Sequence, residues 1–339
     1  IVNEAAPALT DLGNPQIVTF NVPVFDFTRG ETALATVTSG GNRALVRERQ
    51  RDLKLSATWQ LPFLRNSNLM VEYFHNHSSN VTAAFPLLTP AVEAAFPGRA
   101  TRDATGRLIA LDRRPVTFAE TTGSRLRWGF NLSGNLGKPQ PGGREGGFGQ
   151  GLRGRGGFGG GQRQGGGGFG RFMGGGGNGQ GRWNLSIYHT VRFADRVLIA
   201  PSLPELDLLG GDATSGSGSA RHGLEIEGGT FYKGMGLRLT GSWASPTHVR
   251  ASGAPGSADL RFGSVFNVDL RLFVDFSQKP KIVKAVPFLK GSRLAIEVEN
   301  LFESRQRVTD ANGLVPLSYQ SDLIDPRGRV IQLSFRKMF

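Results

Sequence analysis

The stretch Gly328-Arg329-Val330-Ile331-Gln332-Leu333-Ser334-Phe335-Arg336-Lys337-Met338-Phe339 is where the fold can be read first. Ile331, Leu333, Phe335 and Phe339 share one parity, and Gln332, Ser334 and Arg336 share the other. A period of two makes this a strand with one apolar and one polar face. An apolar face that ends on an aromatic suits the lipid-facing side of a transmembrane barrel. It would also suit the last strand of a two-layer soluble sheet, so the rest of the chain has to decide.

The same alternation recurs upstream. Leu53, Leu55, Ala57, Trp59 and Leu61 oppose Asp52, Lys54, Ser56, Thr58 and Gln60. Leu69, Val71 and Tyr73 oppose Glu72 and Asn76, and Leu126, Trp128, Phe130 and Leu132 oppose Arg127, Asn131 and Ser133. Further strands follow around Trp183–Arg192, Leu224–Glu227, Leu237–Trp243, Phe262–Phe276 and Leu294–Glu299. With the closing stretch these make nine strands, several near the 9–11 residues that a tilted barrel strand needs to cross a bilayer. Strands of soluble sheets run nearer 5–6 residues.

The connections alternate in length. Residues 1–50, 78–120, 193–218, 246–261 and 303–327 read as long loops, while 62–68 and 228–236 are short turns. Short turns on one side and long loops on the other are the pattern of an outer-membrane barrel. Trp59 and Trp183 fall near the proposed short-turn edge and Trp243 near the other, as interfacial girdles require, whereas Trp128 falls mid-strand. The chain therefore divides into an outer loop region 1–50, strands over 51–136 with the long loop 78–120, a connector 137–182, and strands over 183–339. The fold expected is all-β: a transmembrane antiparallel barrel to which this chain contributes about nine strands.

The connector 137–182 holds 24 of the 49 glycines and about half of the formal net charge of +13. Almost no apolar area is present there to offset the cost of ordering, so this Gly/Arg-rich insert reads as disordered. Its Gly154-Arg155-Gly156-Gly157-Phe158-Gly159 satisfies G-x-G-x-x-G, but no strand–turn–helix context surrounds it. Its Arg-Gly-Gly and Gly-Phe-Gly steps also resemble nucleic-acid-binding tails. A solvated periplasmic connector fits the flanking strands better.

No run approaches the 18 apolar residues of a spanning helix, and cysteine is absent, so a thiolate metal site and a disulfide framework are both excluded. The chain starts at Ile1 with no signal segment and reads as a fragment or a processed product. His75 and His77 form an H-x-H pair, a two-ligand metal motif without a third partner in sequence; rim histidines are the simpler reading. Asp103, Asp112, Arg113 and Arg114 lie in the loop 78–120 and are candidates for substrate or lipopolysaccharide contact. No G-x-S-x-G, H-E-x-x-H or Walker motif occurs, and the chain reads as a non-enzyme without a cofactor.

Three motifs in order resemble TonB-dependent outer-membrane receptors. They are Gly40-Gly41-Asn42 with Leu45 and Glu48, then Asn300-Leu301-Phe302 after Val298-Glu299, and Gly328-Arg329 leading to Phe339. The resemblance implies a 22-stranded barrel around an N-terminal plug, driven through TonB, which takes up a scarce nutrient such as a siderophore, cobalamin or a saccharide. It also implies outer-membrane lipid, lipopolysaccharide and the barrel-assembly machinery as partners. This chain departs from that plan: plug, TonB-contacting segment and the other strands would have to come from elsewhere. A passive porin, or a secretion or adhesion barrel, remains the alternative. A soluble Arg/Gly-rich nucleic-acid binder is a more distant one.

Overall fold

The computed structural model describes residues 2–26, 29, 31–64, 66–137, 181–214, 217–250, 259–316, 319–321, 325 and 327–337. One antiparallel sheet dominates. Its long strands are β4 (Glu48–Gln60), β5 (Asn68–Ala83), β8 (Val116–Leu136), β9 (Gly181–Leu198), β11 (His222–Tyr232), β12 (Met235–Ala244), β15 (Val265–Asp275), β16 (Ser292–Glu299) and β18 (Val330–Lys337). They lie side by side in that order, and a short strand β1 (Val2–Ala5) pairs with β4 at one edge. The nine alternating stretches of the sequence are these nine strands. The sheet does not close: among the described residues β1 and β18 each have one neighbour on its path.

The faces follow from parity. Directly opposed residues of antiparallel strands share a face, so one pairing carries a row across many strands. Ala57, Val71, Trp128, His189, Leu224, Trp243 and Phe266 form one such row. Leu237, Leu272, Ile296 and Leu333 form part of another. The apolar face is exposed: Trp59 is 60%, Ile331 69% and Leu333 68% accessible. A soluble monomer rarely leaves more than about 600 Å² of contiguous apolar surface bare. Burying each such side chain is worth about 1.5–3 kcal/mol, so this face favours an apolar cover.

The tertiary structure adds order where loops were expected. Residues 1–50, read as a loop region, contain β1, a short helix α1 (Leu9–Gly13) and the hairpin β2 (Ile17–Asp26) and β3 (Glu31–Ser39). The alternation there is hidden by a bulge between Thr19 and Val22, with Asn21 at φ 56°, and by Pro23 inside β2. The loop 78–120 is shorter than expected, because β5 runs on to Ala83 and β8 begins at Val116. It contains α2 (Pro90–Ala95), β6 (Ala100–Arg102) and β7 (Leu108–Asp112). Thr89 starts α2 by accepting the Val92 N–H at 3.2 Å, and Pro90 occupies a position where its missing N–H costs nothing.

These pieces assemble into a cap. β2, β3, β7 and β6 form a four-stranded sheet, with β3 and β7 parallel. Val24, Ala33, Ala35, Val37, Phe85, Leu88, Val92, Leu108 and Leu111 pack there against Val116, Phe118, Val197 and Ile199 from the extended ends of β8 and β9. β10 (Leu206–Asp207) adds to β9, and β13 (Thr247–Val249), β14 (Leu260–Phe262) and β17 (Val308–Thr309) tie two further loops together. The buried hydrophobic core thus sits in the cap, and the excess length of β5, β8 and β9 is what carries it.

Among the described residues the connections that carry further strands leave from the cap end of the sheet. The opposite end carries the turn 61–67, the Lys233-Gly234 turn and the connection 276–291. It also carries the paired ends Leu136 and Gly181, between which the Gly/Arg-rich residues 138–180 lie outside the described residues. No described helix is long and apolar enough to cross a membrane.

Candidate functional site: the polar face beneath the cap

The other face of the sheet is a ladder of cross-strand polar contacts. Lys54 pairs with Glu72 at 2.7 Å, Arg127 with Glu225 at 2.6 Å, Arg238 with Glu227 at 2.7 Å and Arg293 with Asp275 at 3.4 Å. Arg127 also lies 4.4 Å over the ring of Tyr188, whose hydroxyl bonds to Asn131. Asn131 in turn donates to Asn68 at 3.0 Å and accepts from Ser186 at 2.9 Å. Charges of both signs alternate across neighbouring strands, which lowers the cost of holding them on one surface.

At the cap end this face deepens into a recess of about 320 Å³. Glu48 and Gln50 enter from β4, Phe74, Asn76 and Ser78 from β5, Arg125 from β8, and Arg192 and Asp195 from β9. Asp52 gathers the acidic side: Asn76 donates to it at 2.7 Å, and Gln50 donates to both of its oxygens at 3.0 Å. Arg125 lies 4.7 Å over Phe74. Arg192 donates to the Ala220 carbonyl at 2.6 Å, and Ser219 donates to Asp195 at 2.6 Å, so the 199–221 connection closes one wall. Arg125 and Arg192 are directly opposed across β8 and β9. Two arginines on adjacent strands of one face, with carboxylates at the margins, suit a polar ligand that accepts hydrogen bonds.

The motif residues fix strand ends at the cap end of the sheet, the first group beside the recess and the other two at β16 and β18. Gly40, at φ 115°, and Gly41 are packed so tightly against residues 12–16 that a β-carbon on either would overlap backbone. Asn42 donates to the Pro115 carbonyl at 2.8 Å and accepts from the Ala44 N–H at 3.0 Å, and Leu45 is buried. Together they tie the entry to β4 to the start of β8. Asn300, at φ 50°, ends β16: its N–H reaches Asp269 at 2.9 Å and its side chain exchanges two hydrogen bonds with Ser304. The Leu301 N–H bonds to the Val268 carbonyl at 2.7 Å, and Phe302 stacks on Phe266 at 6.3 Å on the apolar side. Gly328, at φ 57°, and Arg329, 3.8 Å from Glu303, lead into β18. Glu48 is the one motif residue lining the recess, and Phe339 lies outside the described residues.

The loop residues proposed for ligand contact are engaged within the cap. Asp103 accepts from the Thr105 N–H and hydroxyl and from the Arg107 N–H at 2.7–3.0 Å; the Thr105 hydroxyl bond, the largest effect, holds its carboxyl below the usual range. Burial alone would push Asp112 up. Its bonds from Arg114, at 2.6–3.1 Å, and the charges of Arg99 and Arg114 outweigh that and hold it low. The Arg113 N–H donates to the Thr38 carbonyl. The hub of the cap is Arg102, which sequence inspection did not single out. It donates to Glu93 at 2.8–3.3 Å and to the fully buried Asp26 at 2.6 and 3.1 Å. Those bonds, led by Glu93, raise its pKa against the opposing effect of burial.

His75 and His77 lie on the apolar-face parity just beyond Tyr73, where the row partners turn polar; His77 Nδ1 is 3.1 Å from the Thr122 hydroxyl. Two other histidines of that face satisfy each other: His222 Nδ1 lies 3.3 Å from His189 Nε2, with Trp128 edge-on to His189. Among the described residues no three His, Asp or Glu side chains gather as a metal site.

No family model and no curated protein matches this chain. Among solved structures it is similar to a mutant of the ferric enterobactin receptor PfeA of Pseudomonas aeruginosa, at 13% identity and a TM-score of 0.47, over 98% of this chain and 36% of that one. It is similar to the siderophore receptor PirA of Acinetobacter baumannii, at 12% identity and 0.44, over 98% and 38%. The outer membrane transporter YddB of Escherichia coli gives 11% and 0.44, over 90% and 34%. This chain spans about a third of the length of each.

Proposed function

We propose that this chain is part of an outer-membrane receptor of the TonB-dependent type, supplying C-terminal strands of its barrel wall. The observation that carries the reading is the division of one sheet into a continuous exposed apolar face and a salt-bridged polar face. Lipid meets the first and the barrel lumen the second. The cap faces the outside, the short connections face the periplasm, and the recess around Glu48, Gln50, Asn76, Arg125 and Arg192 is the ligand-contacting part of this wall. Transport belongs to the assembled receptor, with a plug, TonB and further strands as partners, and a siderophore, cobalamin or saccharide as the nutrient class.

The test is fractionation followed by uptake. The protein should be recovered with the outer membrane, require detergent, and run with heat-dependent gel mobility. Its gene should be needed for uptake of one member of a nutrient panel under limitation, and that uptake should need TonB. Salt extraction into the soluble fraction would reject the membrane reading. Uptake independent of TonB would leave a passive pore.

A further inference from the structure

The connection 276–291, at the short-connection end of the sheet, is basic on one side and apolar on the other. Its sequence is Phe276-Ser277-Gln278-Lys279-Pro280-Lys281-Ile282-Val283-Lys284-Ala285-Val286-Pro287-Phe288-Leu289-Lys290-Gly291, with four lysines and no acid. The segment folds as two 3-10 turns around a short helix α3 (Pro280–Ala285). Ile282, Val286 and Phe288 are exposed, Phe288 to 61%. None of Lys279, Lys281, Lys284 and Lys290 forms an ion pair among the described residues, and all but the half-buried Lys279 are exposed.

The segment turns toward the apolar face. Phe288 stacks on Phe335 of β18, with ring centroids 6.1 Å apart and planes within 6°. Phe335 belongs to the exposed apolar row that pairs with Leu294. The Lys337 ammonium sits 3.9 Å over the Phe288 ring, and the Ser292 hydroxyl donates to the Leu289 carbonyl at 2.6 Å, fixing the last turn. The exposed apolar side chains therefore continue the lipid-facing surface, and the lysines lie where that surface meets water. Lysine stems lie along apolar surface while their ammonium groups reach outward. Amphipathic segments of this composition bind in the headgroup plane, and each cation near an anionic surface strengthens binding several-fold.

We propose that residues 276–291 form an interfacial foot that binds the phosphate headgroups of anionic phospholipids at the short-connection end of the sheet. This rests on the reading of the sheet as membrane-spanning. The apolar side chains set the depth of the foot, and the four ammonium groups select negative headgroups over zwitterionic ones. A neutral leaflet would satisfy only the first part.

The test uses the intact chain in nanodiscs and mixed micelles. Retention of phosphatidylglycerol against phosphatidylcholine, read by native mass spectrometry, should favour phosphatidylglycerol by about ten-fold or more. K279Q/K281Q/K284Q/K290Q should abolish that preference without abolishing lipid binding, and the four Lys→Arg changes should keep it. Inorganic phosphate at matching concentration should leave it in place. Because the chain has no cysteine, V286C labelled with a polarity-sensitive dye reports on the otherwise unaltered protein. Its emission should shift to the blue in phosphatidylglycerol nanodiscs more than in phosphatidylcholine, while a label at V315C in a cap-end loop should not respond. Equal retention of both lipids, a preference that survives the glutamines, displacement by inorganic phosphate, or a silent Val286 label would each overturn the foot. A chain that enters neither lipid would instead overturn the spanning sheet on which it rests.

Discussion

A β-carbon on Gly236 of β12 would overlap the ring of Phe273, its directly opposed partner on β15. Phe273 is almost fully buried on the polar face, stacked on Phe231 at 5.9 Å with the Arg293 guanidinium 5.6 Å away. The absent side chain makes room for an aromatic to lie flat on the sheet. Gly236→Ala should destabilise the sheet by about 1–3 kcal/mol, the usual cost of overpacking. Combining it with Phe273→Leu should cost less than the sum of the two, read as a coupling energy in a denaturant double-mutant cycle.

Arg102 should behave as the keystone of the cap. Removing the guanidinium that holds both oxygens of the buried Asp26 breaks a buried pair, at about 3–5 kcal/mol. Arg102→Ala should speed hydrogen exchange in β2, β3, β6 and β7 and leave β11, β12 and β15 protected. Arg102→Lys should not restore the protection, because an ammonium cannot make the paired bonds to Asp26 and Glu93 together.

Acid should loosen the same region. The Asp112 carboxyl titrates lower in the folded cap than in the unfolded chain. Its contribution is therefore fully present above the unfolded value, about pH 4, and is lost as pH falls through the lower folded value. Exchange at Arg99 and Arg114 should rise below about pH 4. In Asp112→Asn the cap should already be weakened at neutral pH and show a shallower acid response.

The two faces should respond unequally to a new charge. Leu270 lies mid-strand on the apolar face, opposed to Leu239 and Val298. Leu270→Arg should cost about 2–4 kcal/mol in lipid. Thr240, on the polar face between Glu227 and Asp269, should accept Arg for less than about 1 kcal/mol. Unfolding in vesicles by denaturant would measure both; equal costs would contradict the assignment of the faces.

Residues 138–180 join strand ends that are already paired, Leu136 with Gly181, and Gly137 sits at φ 88° as a turn residue would. Replacing 138–180 by Asn-Gly should therefore leave sheet content, heat-dependent mobility and uptake near those of the full chain. Loss of assembly would assign the Gly/Arg-rich segment a structural task.

Much of the sheet is legible in the sequence. Leu53 through Leu61, Phe266 through Leu272 and Ile331 through Phe335 alternate cleanly, because a residue's face in a strand depends on parity alone. The three motifs are also visible there, yet their roles are not. Asn42 and Asn300 act through hydrogen bonds to Pro115 and Ser304 and to backbone held at unusual dihedrals. The recess is invisible in the sequence, since Gln50, Asn76, Arg125 and Arg192 come from four strands and meet through their register.

By itself the amino-acid sequence determined which side chains share the apolar face and which the polar face, where the short turns fall, and that the closing strand presents Ile331, Leu333 and Phe335 together. Those are local consequences of the strand period and of glycine, proline and asparagine at turns. Only the tertiary structure decided that β1 takes one edge of the sheet, and that loop residues build a cap around Arg102. It also decided that Phe288 returns onto Phe335. These depend on contacts between segments far apart in sequence, whose pairing is selected by packing and ion-pair geometry that no single stretch encodes.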